Sequence, residues 1–180
     1  GVRMLESRSG GRTFVEKTPQ HVLRLPFLLR RFPRARFVHV VRDGRDCLVS
    51  ARSHAGIPQA SSARRFAGYW KRCVETPLRE EPHPRLVRLR YEDFVRAAHT
   101  ELERLMRFLE LELEDRQLDP ARFGGHKRAA REEFRLLREA VSDRRVGRWR
   151  TELSAAERRV FERVAGAPLK EYGYLDEDAD

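Results

Sequence analysis

Cysteine is scarce in this 180-residue chain. Cys47 and Cys73 are too few and too far apart for a disulfide framework or a zinc site. We therefore expect two small buried hydrophobic side chains in a reducing compartment. No apolar run approaches the length of a membrane span, and no signal-peptide pattern is present. Together these absences predict a cytoplasmic protein that does not cross a membrane.

Acidic residues are outnumbered, with 28 Asp and Glu against 38 Lys and Arg, and the net charge is +10. This excess favours an anionic ligand or partner. Most of the basic residues alternate with glutamate along helix faces, as in residues 131–133, which is typical of a solvated surface. The sequence also has no aromatic residues interleaved with basic ones and no recognised nucleic-acid motif. We therefore expect no nucleic-acid partner.

The length of the chain predicts a single α/β domain over residues 1–180, because it suffices for one core and is too short for two. The composition, 40% hydrophobic and 37% charged, is that of a heavily solvated globular protein. There is no internal repeat and no low-complexity tract. The order of apolar and polar segments favours a parallel sheet flanked by helices.

The organising segment is residues 12–52, which alternates strand, loop and helix twice. Residues 37–41 form an apolar run typical of a parallel strand covered on both faces. Arg42 therefore follows the carboxyl end of a strand, where open α/β sheets bind ligands. A helix is expected over residues 47–52, with Ser50 two turns beyond Arg42. An arginine at a strand end beside a helix N-terminus suits an anionic group such as phosphate.

Other elements are predicted from local signals. Thr18 is a candidate N-cap, and Pro19 begins a helix to about Arg31 that Pro26 kinks or divides. Residues 86–89 form the next predicted strand. The remaining predictions are a strand at 12–16, a helix capped by Ser61 or Ser62 and ended or bent by Pro77, a capping box from Thr100 to Glu103, an irregular link at 113–127, a helix at 129–141, and a helix capped by Ser154 and Glu157 and stopped by Gly166 and Pro168.

The sequence RDGRDCLVS at residues 42–50 resembles the signature R-[DN]-x-[RK]-D-x-x-x-S of the sulfotransferases that use 3'-phosphoadenosine 5'-phosphosulfate (PAPS). Three more segments resemble motifs of the same family in the same order, so that the resemblance covers residues 15–150. The first is Glu16-Lys17-Thr18-Pro19 followed by His21, which resembles E-K-[TS]-P or K-T-H-x-P. The second, Tyr91-Glu92-Asp93-Phe94, resembles Y-E-D-[LFM]. The third, Val146-Gly147-Arg148-Trp149-Arg150, resembles G-x-W-[KR].

The resemblance implies a P-loop NTPase-like sulfotransferase fold with PAPS as cosubstrate and no metal. It implies that Arg42 and Ser50 hold the 3'-phosphate, that Lys17 contacts the sulfuryl or leaving-phosphate oxygens, and that Tyr91 contacts the adenine. Each residue also has a structural alternative. Arg42 could pair with Asp43 or Asp46, and Ser50 could hydrogen-bond to the backbone of its own helix. Lys17 could be a surface lysine, and Tyr91 a core tyrosine.

The catalytic base is left open between His21 and Glu16. His21 lies two residues beyond the position of the family's histidine, and Glu16 is also placed to pair with Lys17. In the C-terminal loop, Arg144 or Arg145 would supply the cation of the family's R-K-G stretch. Trp149 belongs either to the nucleotide site or to the core. Arg45 and Asp46 are expected to bridge loop and helix.

Sulfuryl transfer needs a cation near the leaving phosphate, a base for the acceptor and a firm hold on the nucleotide. The sequence contains no metal-ligand cluster. The resemblance implies a PAPS-dependent sulfotransferase with a hydroxyl or amine acceptor. The RDGR and EKTP variants favour a carbohydrate or protein acceptor over a small phenol, and the arginine- and alanine-rich composition is typical of a bacterial source.

The alternative is a non-catalytic, truncated nucleotide-binding remnant or scaffold. The resemblance implies a glycine-rich loop for the 5'-phosphosulfate between a first strand and a first helix. Ser9-Gly10-Gly11 precedes its predicted strand instead of following one. The expectation is therefore a sulfotransferase fold that lacks its first strand-loop-helix unit.

Overall fold

The computed structural model describes residues 14–53, 57–118 and 141–175. In these residues, strand β1 (Phe37–Val41) pairs in parallel with β2 (Leu86–Arg90). Phe37 lies opposite Leu86, and Val41 lies opposite Arg90. The predicted strands at 37–41 and 86–89 and the parallel α/β arrangement are confirmed. The carboxyl ends of the strands meet at one edge of the sheet, directly before Arg42 and Tyr91.

Helices cover the sheet on both faces. In chain order they are α1 (Leu25–Arg31), α2 (Gly44–Arg52), α3 (Ala63–Leu78), α4 (Tyr91–Arg96), α5 (Ala98–Leu109), α6 (Trp149–Glu152) and α7 (Ala155–Glu171), with 3₁₀ turns at Pro19–Arg24, Pro58–Ser61 and Asp115–Leu118.

The main core lies on the face of the sheet that includes Val41. Helix α3 contributes Trp70, α7 contributes Phe161 and α2 contributes Leu48, and the Trp70 and Phe161 rings pack with centroids 6.0 Å apart. On the opposite face, α5 packs against β2 and part of β1. Full coverage of β1 was predicted, and this is wrong at Val40, which is 60% exposed because none of the described elements packs over it.

Two predicted helix caps are confirmed, and two others are wrong. Ser62 accepts the Arg65 N–H, and Ser154 forms the predicted capping box with Glu157. Thr100 lies inside α5, because α4 is joined to α5 through Ala97 and the helix has already begun. The Thr18 hydroxyl donates to Glu16 and does not cap the turn that follows it.

Proline and glycine act differently from the prediction near the C-terminus. Pro26 lies in the first turn of α1, so the segment is divided as expected. The helical geometry of α7 is interrupted at Ala165, directly before Gly166, but the helix resumes and runs through Pro168 to Glu171. A non-helical residue, Ala165 (φ −121°), bends the helix and so relieves the clash of the proline ring with the preceding turn.

The predicted strand at 12–16 is not formed by its described residues, 14–16, which are exposed and have no ladder partner. Of the predicted link at 113–127, the part up to residue 118 contains a 3₁₀ turn. The rest of that link, and the predicted helix at 129–141 except its last residue, lie outside the described residues.

Arg85 closes the end of α1, where the last carbonyls of a helix lack partners. Its guanidinium donates to the carbonyl oxygens of Leu29 (2.8 Å), Phe32 (2.8 Å) and Ala35 (3.3 Å). We expect Arg85→Met to lower the free energy of unfolding by about 2 kcal/mol in urea denaturation, because several charge-assisted hydrogen bonds are lost.

The matched control is Arg79→Met. The Arg79 side chain is 77% exposed and lies 3.7 Å from the Glu75 carboxylate. Such a pair contributes little, so the control should leave the urea midpoint nearly unchanged. Equal losses in the two variants would contradict the capping role of Arg85.

Candidate active site

Arg42 is the centre of the strand-end site. Its guanidinium lies over the Tyr91 ring, 4.5 Å from the ring centroid, and 3.8 Å from the Asp46 carboxylate. One terminal nitrogen donates to the Arg145 carbonyl oxygen. The Nε–H is buried and has no acceptor in the described part of the chain. A buried charged donor without an acceptor is unfavourable by itself, and an acceptor oxygen from a ligand would satisfy it.

Tyr91 and Arg42 come together because the two parallel strands end side by side. Tyr91 begins α4 immediately after β2, and Arg42 follows β1. The sequence predicted a strand directly before each of these residues, and both strands are present. The Asp46 alternative for Arg42 is also present, although 3.8 Å is a long separation for an ion pair, so the guanidinium is only partly neutralised.

The N-terminus of α2 is already occupied by carboxylates of the protein. Asp43 caps the helix by accepting the Arg45 N–H at 2.8 Å. The Asp43 N–H in turn donates to Glu92, which is buried and also accepts the Tyr174 hydroxyl at 2.8 Å. Two backbone N–H groups at this helix start are thus taken by carboxylates of the protein, and the binding of an anion there stays a prediction.

Arg45 and Asp46 have structural roles, as expected, and they join the start of α2 to the C-terminal segment. Arg45 is 2% exposed and pairs with Asp43 (2.9 Å) and Glu162 (2.8 Å). Asp46 is 1% exposed and accepts the backbone N–H groups of Gly147 (2.7 Å) and Trp149 (2.9 Å).

Trp149 lies between two guanidinium groups. The Arg45 group is 3.6 Å and the Arg150 group 4.6 Å from the ring centroid, and the ring also packs on the main core. Of the two roles considered, this geometry favours the core anchor. Arg144 is exposed, and Arg145 is half-buried and offers its carbonyl to Arg42.

Ser50 lies partly buried in α2 and already has an interaction partner. It is on the helix that begins just after Arg42, as predicted. Its contact with a nucleotide stays a prediction.

The predicted catalytic residues Glu16, Lys17 and His21 lie just before and within the first 3₁₀ turn. Glu16 accepts the Thr18 hydroxyl at 2.5 Å, and its other oxygen lies 2.8 Å from His21 Nδ1. These hydrogen bonds, that from Thr18 first, hold the pKa of Glu16 below its usual value. Glu16 therefore pairs with His21 and not with Lys17, which is exposed. A carboxylate that is hydrogen-bonded to Nδ1 favours the tautomer with its proton on Nδ1, which leaves Nε2 able to accept a proton.

The cysteines are both free thiols. Cys47 lies beside the Arg42 carbonyl, and burial raises its pKa to about 12. Burial also raises the pKa of Cys73. Both are thus poor nucleophiles near neutral pH. Among the described residues there is no group of three or more His, Cys, Asp or Glu side chains suited to hold a metal ion, and no helix long and apolar enough to cross a membrane.

Comparison with known proteins identifies the family of the chain. The sequence model described as "Sulfotransferase family" matches residues 2–115, more than half of the chain. The chain belongs to the sulfotransferase family. The matched range includes the Glu16 to His21 segment, Arg42, Ser50 and Tyr91 of this sulfotransferase.

The fold of the sulfotransferase is also found in a solved structure, the "Sulfotransferase Domain from the Curacin Biosynthetic Pathway". The TM-score is 0.65 at 20% sequence identity, over 91% of this chain and 66% of that one. The likeness confirms the predicted sulfotransferase fold. The chain spans just under two thirds of that protein's length. No curated protein matches the sequence.

Sequence reasoning missed several residues that shape the site of this sulfotransferase. Glu92 and Tyr174 fix the start of α2, and the Trp70 indole N–H donates to the Arg42 carbonyl at 3.0 Å. Glu92 is part of the Tyr91-Glu92-Asp93-Phe94 motif, in which only Tyr91 was predicted to belong to the site. Tyr174 and Trp70 have no local signal, because their partners are distant in the sequence.

Proposed function

We propose that this sulfotransferase transfers a sulfuryl group from PAPS to a hydroxyl or amine acceptor. The observation that carries the proposal is the Arg42 guanidinium at the end of β1, stacked on Tyr91, with a buried Nε–H that has no acceptor among the described residues. Membership of the sulfotransferase family supports the reaction class.

The proposed nucleotide site uses Arg42 as the main contact of the 3'-phosphate. A phosphate monoester dianion offers oxygens to both Nε and a terminal nitrogen, which is the two-point geometry that guanidinium prefers. Ser50 would donate a further hydrogen bond, and Tyr91 would contact the adenine. The cation from the C-terminal loop is proposed to be Arg144 or Arg145.

The proposed chemistry takes place near the Glu16 to His21 segment. The oxygen or nitrogen of the acceptor forms a bond to sulfur, and His21 Nε2 takes the proton that this atom loses. At the same time the bond between sulfur and the phosphate oxygen of the nucleotide breaks. Lys17 neutralises the charge on that leaving oxygen. Glu16 orients the ring through Nδ1, as the 2.8 Å contact supports. No step in this scheme requires a metal ion.

We further propose a cytoplasmic location and a carbohydrate or protein acceptor. The acceptor class rests on the RDGR and EKTP sequences, and the location rests on the low cysteine content. Both follow from the sequence resemblance and composition.

The test is calorimetric titration with the desulfated nucleotide, 3'-phosphoadenosine 5'-phosphate (PAP). We expect micromolar binding that Arg42→Ala weakens by about 100-fold, because a partly buried bidentate contact is lost. Arg79→Ala, which removes a 77% exposed arginine, is the matched control and should bind as the parent does. PAP binding that is untouched by Arg42→Ala would contradict the proposed site.

A further inference from the structure

The segment 143–149, here named the clamp loop, is tied to the strand end at two separate points. Arg42 donates to the Arg145 carbonyl. Asp46 accepts the Gly147 N–H on one carboxylate oxygen and the Trp149 N–H on the other. The loop is therefore held by the same RDGRD sequence that supplies the proposed phosphate contact.

The two ties differ in what nucleotide binding would do to them. The Arg42 guanidinium would turn part of its donor capacity to phosphate, in competition with the Arg145 carbonyl. The Asp46 bonds use backbone N–H groups and would persist. Both are charge-assisted and partly buried, so they hold the loop more firmly than ordinary surface contacts would.

The backbone of the clamp loop is shaped to meet one carboxylate with two N–H groups. Gly147 has a positive φ of +79°, which side chains rarely allow, and this turn brings the N–H groups of residues 147 and 149 to the same side. The Arg45 guanidinium stacks on Trp149 and adds a further contact at this point. The geometry is thus specific to a carboxylate at position 46.

We propose that Asp46 is a positioning residue, whose carboxylate holds the clamp loop against Arg42 so that the phosphate cleft is formed before the nucleotide arrives. The inference rests on the proposed function, because it assigns the loop to the same nucleotide site. Asp46 would not touch the nucleotide. It acts through the loop backbone and, at 3.8 Å, through the direction of the Arg42 guanidinium.

The first test is Asp46→Asn, assayed by limited trypsin digestion and PAP titration. Asparagine keeps the size, but its NH₂ group faces one of the two backbone donors. Because Arg144, Arg145 and Arg148 are tryptic sites, a loosened loop is cut faster. We expect cleavage in the loop about tenfold faster without nucleotide, and PAP binding weaker by about tenfold or more.

The control is Glu81→Gln, which removes a half-buried carboxylate that pairs with Arg88 on β2. This variant should lose stability without any change in loop cleavage or PAP affinity. The comparison separates a local role of Asp46 from a general loss of stability.

A second pair of variants acts from the loop side in case Asp46→Asn does not fold. In Gly147→Ala the added Cβ lies 2.7 Å from a flexible Arg150 nitrogen, and the positive φ is strained. Gly147→Asn is milder because asparagine tolerates left-handed backbone. Loop cleavage should be fastest in the alanine variant, slower in the asparagine variant and slowest in the parent.

Three results would overturn the proposal. Cleavage of Asp46→Asn at the parent rate would show that the carboxylate does not hold the loop. Faster cleavage with unchanged PAP affinity would show that the loop is not part of the phosphate cleft. If the parent itself did not bind PAP, the proposed function would fail and the positioning role with it, while the cleavage rates would still report whether Asp46 holds the loop.

Discussion

Replacing Gly44 with alanine is expected to lower the free energy of unfolding by about 3 kcal/mol or more, the upper range for overpacking a core. A Cβ at this position would lie 2.5 Å from Trp70 Cδ2 and 2.7 Å from Phe161 Cζ. Both rings are buried, and the Trp70 indole is also hydrogen-bonded to the Arg42 carbonyl. Neither ring can move away without breaking the main core.

The matched control for Gly44→Ala is Gly68→Ala in the middle of α3. A Cβ on Gly68 meets no atom within 4 Å, so alanine should raise stability by about 0.5–1 kcal/mol through its higher helix propensity. Urea denaturation of the two variants checks the sign of each change. Equal shifts in the same direction would show that Trp70 and Phe161 do not confine position 44.

Loss of stability in mild acid is expected to depend on His39. The side chain is 8% exposed, lies opposite Arg88 across the strand pair, and contacts the edge of the Tyr172 ring at 6.2 Å between centroids. Its Nδ1 is buried without a partner among the described residues. Burial first, and the charge of Arg88 second, lower the pKa of His39 from 6.5 to about 4.

The direction of the effect follows from this pKa. The unfolded chain takes up the proton near pH 6.5, and the folded protein takes it up only near pH 4. The contribution to stability is therefore intact above about pH 6.5 and is lost as the pH falls toward 4. Between pH 7 and pH 5 the loss from this residue should be about 2 kcal/mol.

The measurement is the urea midpoint of the parent and of His39→Leu at pH 7 and pH 5. The leucine variant should lose less stability than the parent over this interval, by the contribution of His39. His99→Leu is the control, because His99 is exposed on α5 and lies 3.7 Å from Glu103. An unchanged pH dependence in His39→Leu would exclude His39 as the source.

Local sequence patterns predicted what depends on near neighbours. The two strands, the caps at Ser62 and Ser154 and the division at Pro26 each depend on a few adjacent residues, and each is present. The Thr100 capping box failed because the preceding helix α4 sets where α5 begins. The Thr18 cap failed because Glu16 competes for its hydroxyl.

The site was predictable only in part for a related reason. The meeting of Arg42 and Tyr91 follows from two adjacent parallel strands, each of which could be recognised. The hydrogen bonds of Tyr174 to Arg45 and Glu92 cross 129 and 82 residues, so no local pattern indicates them. All the predicted ligand contacts and catalytic roles stay predictions: those of Glu16, Lys17, His21, Arg42, Ser50, Tyr91, Arg144, Arg145 and Trp149.

Tyr174 accepts a hydrogen bond from Arg45 on its carbonyl and donates one to Glu92 from its hydroxyl. During synthesis the strands and α2 leave the ribosome long before this residue does. The hydrogen bonds of Tyr174 with Arg45 and Glu92 can therefore form only after residue 174 has emerged. Formation of this end of the sheet therefore depends on a residue that is synthesised long after the strands.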